Sequence, residues 1–230
     1  MENNTIIETS NFLTIQNLCD DAQKQSQFIS IVGYPGAGKT TALKVYHSEV
    51  TDVFYVRAVA SMTAKQFYTS ILNEIGLEGT FHGSSLHDMI NTITYKFNYT
   101  RIKKLLIIDE AGKFKPKFLE YLHELRDNTE ENTGIVMAGP DYFKENIIKW
   151  SNQGIVGIPE LYRRINHWEH LSSPELSEIH SFCDSYKIKD LNFINTLSRG
   201  SSNFAEVIYK INAYLKEKEN LELQNNSHLN

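Results

Sequence analysis

Cysteine is nearly absent: of 230 residues only Cys19 and Cys183 carry a thiol. They stand far apart without the spacing of metal ligands, which argues against a disulfide framework and favours a reduced, intracellular chain. Long apolar runs are missing too. No segment approaches the roughly 20 apolar residues needed to span a bilayer, and Met1-Glu2-Asn3-Asn4 begins no basic region followed by an apolar stretch. The expectation is a cytoplasmic protein with no membrane partner. Positive charge is also short, with 23 Lys and Arg against 28 Asp and Glu and a formal charge of −5. That excludes a surface that is basic all over.

One stretch runs the other way. Between Lys96 and Lys117 the chain carries Lys96, Arg101, Lys103, Lys104, Lys113, Lys115 and Lys117 against Asp109 and Glu110 alone, so it is a positive segment in an acidic protein. Internal repeats and low-complexity tracts are not evident. With 41% hydrophobic and 22% charged residues, the chain has the composition of one core domain with a small appendage.

The apolar residues alternate between strand and helix patterns. Phe12, Ile15, Leu18 and Cys19 recur at helical spacing, and Phe28-Ile29-Ser30-Ile31-Val32 then makes a β-branched run ending in glycines. A second strand is predicted at Val53-Phe54-Tyr55-Val56, followed by a helix from about Thr63 and another opened by the capping box Ser85-x-x-Asp88. Leu105-Leu106-Ile107-Ile108 reads as a parallel strand covered on both faces. Beyond it come a helix from Pro116 to Arg126, a strand at Gly134–Ala138, a helical stretch near Phe143–Trp150 and a strand around His167–Leu171. This is an α/β three-layer sandwich with a parallel sheet. After Ser172 only helical patterns remain, opening at Ser172-x-x-Glu175 and ending on the face Phe204, Val207, Ile208, Ile211 and Leu215. The predicted division is residues 1–171 as the α/β domain with an N-terminal helix, 172–218 as a helical lid and 219–230 as a polar, flexible tail.

Two motifs carry chemistry. Gly33-Tyr34-Pro35-Gly36-Ala37-Gly38-Lys39-Thr40 fits the P-loop (Walker A) pattern G-x-x-x-x-G-K-[ST] between a predicted strand and a predicted helix. Such a loop turns successive backbone N–H groups onto phosphate oxygens, and the helix N-terminus adds a favourable dipole. Lys39 is expected to reach the β- and γ-phosphates and Thr40 to ligate magnesium, with Thr41 completing the segment. The second motif, about seventy residues on, is Asp109-Glu110 at the carboxyl end of a buried strand (Walker B). Asp109 is expected to hold the metal and Glu110 to act on the attacking water as catalytic base. ATP and Mg2+ are the expected cofactors. His167 and His170, three apart on a strand, point to opposite faces and make no metal pair. Cys19 is expected in the core, and Trp150 and Trp168 in the seam between sheet and lid.

The segments Gly36-Ala37-Gly38-Lys39-Thr40-Thr41, Ile107-Ile108-Asp109-Glu110-Ala111, Leu122-x-x-Leu125-Arg126, Ile135-Val136-Met137-Ala138-Gly139 and Arg164-Ile165 resemble the AAA+ ATPases. Within them they resemble the transposon target-selection ATPases of the phage Mu B protein family, over roughly residues 8 to 215. That resemblance implies a P-loop NTPase fold with a lid and ATP-dependent self-assembly, in the form of a helical filament on duplex DNA. It also implies recruitment of a transposase. Arg164, with Arg163 as the alternative, matches the arginine finger that one subunit supplies to its neighbour. Lys113, Lys115 and Lys117, which follow the catalytic acids, are the candidate DNA contacts. Two departures stand out: the fourth strand ends in Ala138-Gly139-Pro140 with no polar γ-phosphate sensor, and the lid offers Asn203 or Arg199 where an arginine is usual. Slow hydrolysis stimulated by DNA or a partner is therefore expected. The alternatives are a helicase loader or replication initiator on the same core, and a nucleotide-gated DNA-binding assembly with negligible turnover.

Overall fold

The computed structural model describes residues 7–79 and 83–227 and divides into two compact units. The larger comprises residues 12–33 and 39–171, and the smaller takes 34–38 and the described residues before 12 and after 171. At the centre of the larger unit lie five parallel strands: β1 (Phe28–Val32), β2 (Val53–Arg57), β3 (Lys104–Asp109), β4 (Thr133–Gly139) and β5 (His167–His170). Their spatial order is β2-β3-β4-β1-β5. β1, β3 and β4 are buried along their whole length, as the aliphatic residues at their centres suit strands covered on both faces. The edge strand β5, His-Trp-Glu-His, is polar and exposed at both ends, a composition that discourages pairing with another sheet.

Among the described residues seven α-helices lie wholly or largely in this unit: α1 (Ser10–Gln25), α2 (Lys39–Glu49), α3 (Ala64–Glu74), α4 (Leu86–Asn98), α5 (Pro116–Thr129), α6 (Asp141–Asn152) and α7 (Ile158–Arg164). The expected capping box of Ser85 with Asp88 opens α4, and a second one, Thr63 with Gln66, opens α3. On one sheet face Phe28, Val56, Leu106, Ile108, Ile135 and Met137 form a continuous core with Phe67, Ile71, Ile93, Leu122 and Phe143. The alternate residues Ile29, Ile31, Leu105, Ile107 and Val136 are equally buried, so both faces are covered. Each such side chain stabilises the fold by about 1.5–3 kcal/mol. Cys19 is fully buried, and that burial raises its thiol pKa far out of the reactive range. The approach of α1 explains Gly134: a Cβ there would stand 2.0 Å from the Ala22 carbonyl oxygen. Arg126 is structural as well, its buried guanidinium donating to the carbonyls of Thr133 and Ser26 at 2.8 Å each.

The smaller unit holds α8 (Leu176–Ser185), α9 (Leu191–Gly200) and α10 (Phe204–Ser227) around Ile179, Cys183, Ile194, Leu197, Val207 and Ile211. The larger differences from the sequence reading lie around α7, α8 and the C-terminal stretch. α8 starts after Glu175, which pairs with Glu178 as its own capping box, because Ser172 is engaged elsewhere, donating its N–H to Asn11 Oδ1. α7 had no counterpart in the apolar pattern, its entry being a left-handed Gly157 followed by Pro159 in the first turn. The polar stretch read as a tail from Glu219 is helical through Ser227, and residues 228–230 lie outside the described residues. Trp168 packs against Phe143 and Tyr162 within the larger unit, with the Lys144 ammonium 5.5 Å from its ring centroid. Among the described residues no helix is long and apolar enough to cross a membrane.

Candidate functional site

Parallel strands deliver their carboxyl ends to one edge, and here the register aligns them: Arg57 lies opposite Asp109, and Val32 lies opposite both Gly139 and His170. The chain leaves β1 toward β2 but leaves β4 toward β5 on the other side. The crevice at the ends of β1 and β4 is thus a topological switch point, where α/β sheets bind ligands.

Gly33 closes β1 by donating its N–H to the Gly139 carbonyl at 3.3 Å. In the smaller unit the loop turns on the Ala37 N–H donating to the Tyr34 carbonyl at 3.1 Å. Gly36 and Gly38 hold φ of +84° and +87°, conformations costly for any residue with a Cβ. Gly36 is also closed in, since a Cβ there would come 2.6 Å from Ala205 Cβ and 2.8 Å from Asn203 Oδ1. Asn203 itself accepts the Glu206 N–H at the start of α10. Tyr34, Pro35 and Thr41 are exposed, and Ala37 is buried.

In the larger unit the expected pair meets. Thr40 Oγ1 donates to Asp109 Oδ2 at 2.8 Å. Lys39, at the start of α2, places its ammonium 2.6 Å from the Gly33 carbonyl oxygen. Burial lowers the lysine pKa, opposed by the carboxylates of Asp141, Asp109 and Glu110. Asp109 is only 2% exposed, and its Oδ1 accepts the Glu110 N–H at 2.8 Å. A hydroxyl beside an acceptor-only carboxylate suits magnesium, a hard cation that takes few protein oxygens and fills its remaining positions with water and phosphate. Among the described residues no cluster of three or more His, Cys, Asp or Glu offers a self-sufficient metal cage.

Glu110 is more constrained than its sequence suggests. It sits at φ +61°, in the left-handed region that non-glycine residues seldom adopt outside functional turns. Arg57 Nη2 stands 3.2 Å from its Oε1 and Lys113 Nζ 3.3 Å from its Oε2. Partial burial acts to raise the Glu110 pKa, and the hydrogen bonds from Arg57 and Lys113 outweigh it, leaving the carboxyl below its ordinary value. Neither Arg57 nor Tyr55, which donates to Asp109 Oδ2 at 2.8 Å, was singled out from the sequence. The signal was present: strand alternation puts Tyr55 and Arg57 on one face of β2, next to the strand that ends in Asp109.

The remaining candidates are dispersed. Arg164, in the last turn of α7, has Nε 2.8 Å from Asp127 Oδ1, in contact but without hydrogen-bond alignment, and Nη1 3.9 Å from Glu130. Arg163 is exposed. Of the three lysines, Lys113 faces Glu110, Lys117 pairs with Glu120 at 2.8 Å, and Lys115 is exposed. Lys104 is buried and donates to Thr100 and Ile102, while Lys103 donates to Ser26 and the Glu131 carbonyl. Where β4 lacks a polar end residue, Asp141 follows in the first turn of α6, 2.7 Å from His170 Nε2. His167 pairs with Glu169, so the two histidines share no ligand.

Comparison with solved structures gives the same architecture. The Aeropyrum pernix ORC2 protein, solved as ADPNP–ADP complexes, is similar with a TM-score of 0.70 and 14% identity, covering 97% of this chain and 66% of that one. The Aeropyrum pernix ORC1 protein in complex with DNA follows at 0.62 and 12% identity, covering 91% and 60%. Cdc6p from Pyrobaculum aerophilum stands at 0.58 and 13%, covering 79% and 50%. Identities this low show the fold alone, and the chain spans less than two thirds of each of these proteins. No curated protein matches the sequence. Residues 22–147, more than half of the chain, match the family model described as the AAA domain. Its P-loop, its five-stranded parallel sheet and this match together place the chain in the AAA domain family.

Proposed function

We propose that this protein binds ATP with magnesium and hydrolyses it slowly, as an AAA+ ATPase of the replication-initiator or helicase-loader type that works on DNA. The observation that carries the nucleotide reading is the 2.8 Å contact between Thr40 and Asp109, which brings P-loop hydroxyl and strand-end carboxylate within reach of one cation. Backbone amides of the Gly36–Thr40 segment would bind the phosphates, and Lys39 would turn from the Gly33 carbonyl onto the β- and γ-phosphate oxygens. Thr40 and Asp109 hold the magnesium, which when bound neutralises charge on those oxygens. Glu110 orients the attacking water and accepts its proton. Arg164, or Arg163 beside it, is delivered to the site of a neighbouring subunit. Leaving Asp127 for that role breaks only a surface ion pair of small net value.

Glu110 has to part from Arg57 and Lys113 before it can serve water well, because a carboxylate held by two cations is a weaker base. Lys113 was a candidate DNA contact, so phosphates drawing it away would release the base. Arg57→Ala is therefore expected to raise basal turnover about two- to fivefold and to shrink the stimulation by DNA. A steady-state phosphate-release assay with and without DNA checks this. Unchanged basal turnover would show that the clamp does not restrain Glu110.

The initiator reading is preferred because solved proteins of like fold include ORC and Cdc6 proteins, one of them in complex with DNA. The transposition role that the motifs suggested, with its transposase partner, receives no support from them. The two are separated by measuring ATP-dependent binding to single-stranded and duplex DNA together with particle shape. The initiator reading expects discrete oligomers and capture of a helicase. Continuous filaments on duplex DNA that capture a transposase would reverse the preference. ATP turnover below detection with and without DNA would leave nucleotide-gated assembly as the function.

A further inference from the structure

Asp109 is held by a third residue, which belongs to neither motif. Its Oδ2 accepts from Thr40 Oγ1 and also from the Tyr55 hydroxyl, each at 2.8 Å, while Oδ1 accepts the Glu110 N–H. Tyr55 comes from β2, where its register partner is Ile107, two residues before Asp109 on β3. Period-two alternation therefore puts Tyr55 and the aspartate on the same side of the sheet, away from the core face that holds Val56, Leu106 and Ile108. The His47 ring lies 5.8 Å from the Tyr55 ring and limits its swing.

We infer that Tyr55 is a positioning residue for the metal-holding carboxylate, so that magnesium affinity is set by β2 as well as by the P-loop and β3. The inference rests on the reading of Asp109 as a magnesium residue. The torsion that turns an aspartate carboxylate is broad and roughly two-fold, so a fixed lone-pair direction needs donors on both oxygens. When magnesium engages the Thr40 oxygen, the Tyr55 hydroxyl stays on Oδ2 and holds the carboxylate plane in place. A phenylalanine would fill the same space against α2 and the sheet. It would leave Oδ2 with one donor fewer in a nearly water-free position.

The test compares wild type with Tyr55→Phe by calorimetric titration of a non-hydrolysable ATP analogue at a series of magnesium concentrations and in EDTA, with thermal melting alongside. The magnesium concentration for half-maximal binding is expected to rise about three- to tenfold, the scale of one hydrogen bond. Affinity in EDTA stays as in wild type, and the melting temperature falls by no more than about 2–4 °C, the cost of one hydrogen bond to folding. An unchanged magnesium requirement overturns the inference, and so does an equal loss of affinity in EDTA, which would mark Tyr55 as merely structural. If wild type itself binds the analogue equally well with and without magnesium, the metal reading of Asp109 fails and takes the inference with it.

Discussion

Glu110→Gln should retain ATP binding and lose hydrolysis by about 10²–10⁴-fold, the contribution of a positioned general base. The amide keeps the shape of the side chain and can still face Arg57, but it cannot take a proton from water. The left-handed backbone at Glu110, φ +61°, is indifferent to this change, so folding should be little affected. Removal of the negative charge also loosens Lys113 and Arg57, which stand 3.3 and 3.2 Å from it in the wild-type chain. ATP-bound assemblies should consequently last longer than those of wild type. Single-turnover phosphate release and size analysis in ATP measure both effects. Turnover at the wild-type rate would show that another group activates the water.

Lys39→Ala should act one step earlier, on binding itself. The ammonium is drawn into a half-buried position beside the Gly33 carbonyl and within the field of Asp141, Asp109 and Glu110. Without it, three carboxylates remain near the triphosphate with no lysine to balance them. Charge-assisted hydrogen bonds contribute roughly 1.5–3 kcal/mol each, so the dissociation constant for ATP should rise at least ten- to a hundredfold. Fluorescence titration with a labelled nucleotide reads the change. The same affinity in wild type and variant would remove the P-loop assignment, whatever the loop's geometry.

How far the sequence carries these claims varies from residue to residue. Strands β1, β3 and β4 were legible because burial on both faces selects short runs rich in aliphatic residues, even with Ser30 buried inside β1. Thr40 and Asp109 could be brought together on paper because each is tied to the carboxyl end of a named strand. β2 was read one residue short, at Val56, since Arg57 looks like a solvated terminus. It is instead the residue opposite Asp109 that reaches Glu110. Tyr55 passed for a strand aromatic because alternation gives its face, while only the register of β2 against β3 brings its hydroxyl to Asp109. Lys113 and Lys117 were grouped as a basic cluster, whereas each has an acid three residues away that takes up its charge. The arginine pair in α7 shows a further limit. One chain's sequence does not show what Arg164 meets on a neighbouring subunit, and within its own chain it contacts Asp127.

The central claim is that the phosphates lie on the P-loop amides and that one magnesium joins Thr40 to the Asp109 side of the site. It is tested most directly by a crystal structure of the protein with magnesium and a non-hydrolysable ATP analogue. The expected density places the β- and γ-phosphates against Gly36–Thr40 with Lys39 turned onto them. It also shows a metal ligated by the Thr40 hydroxyl, with Asp109 bound directly or through water. Nucleotide seated elsewhere on the chain, or phosphates in the loop with the metal remote from both residues, would contradict the account.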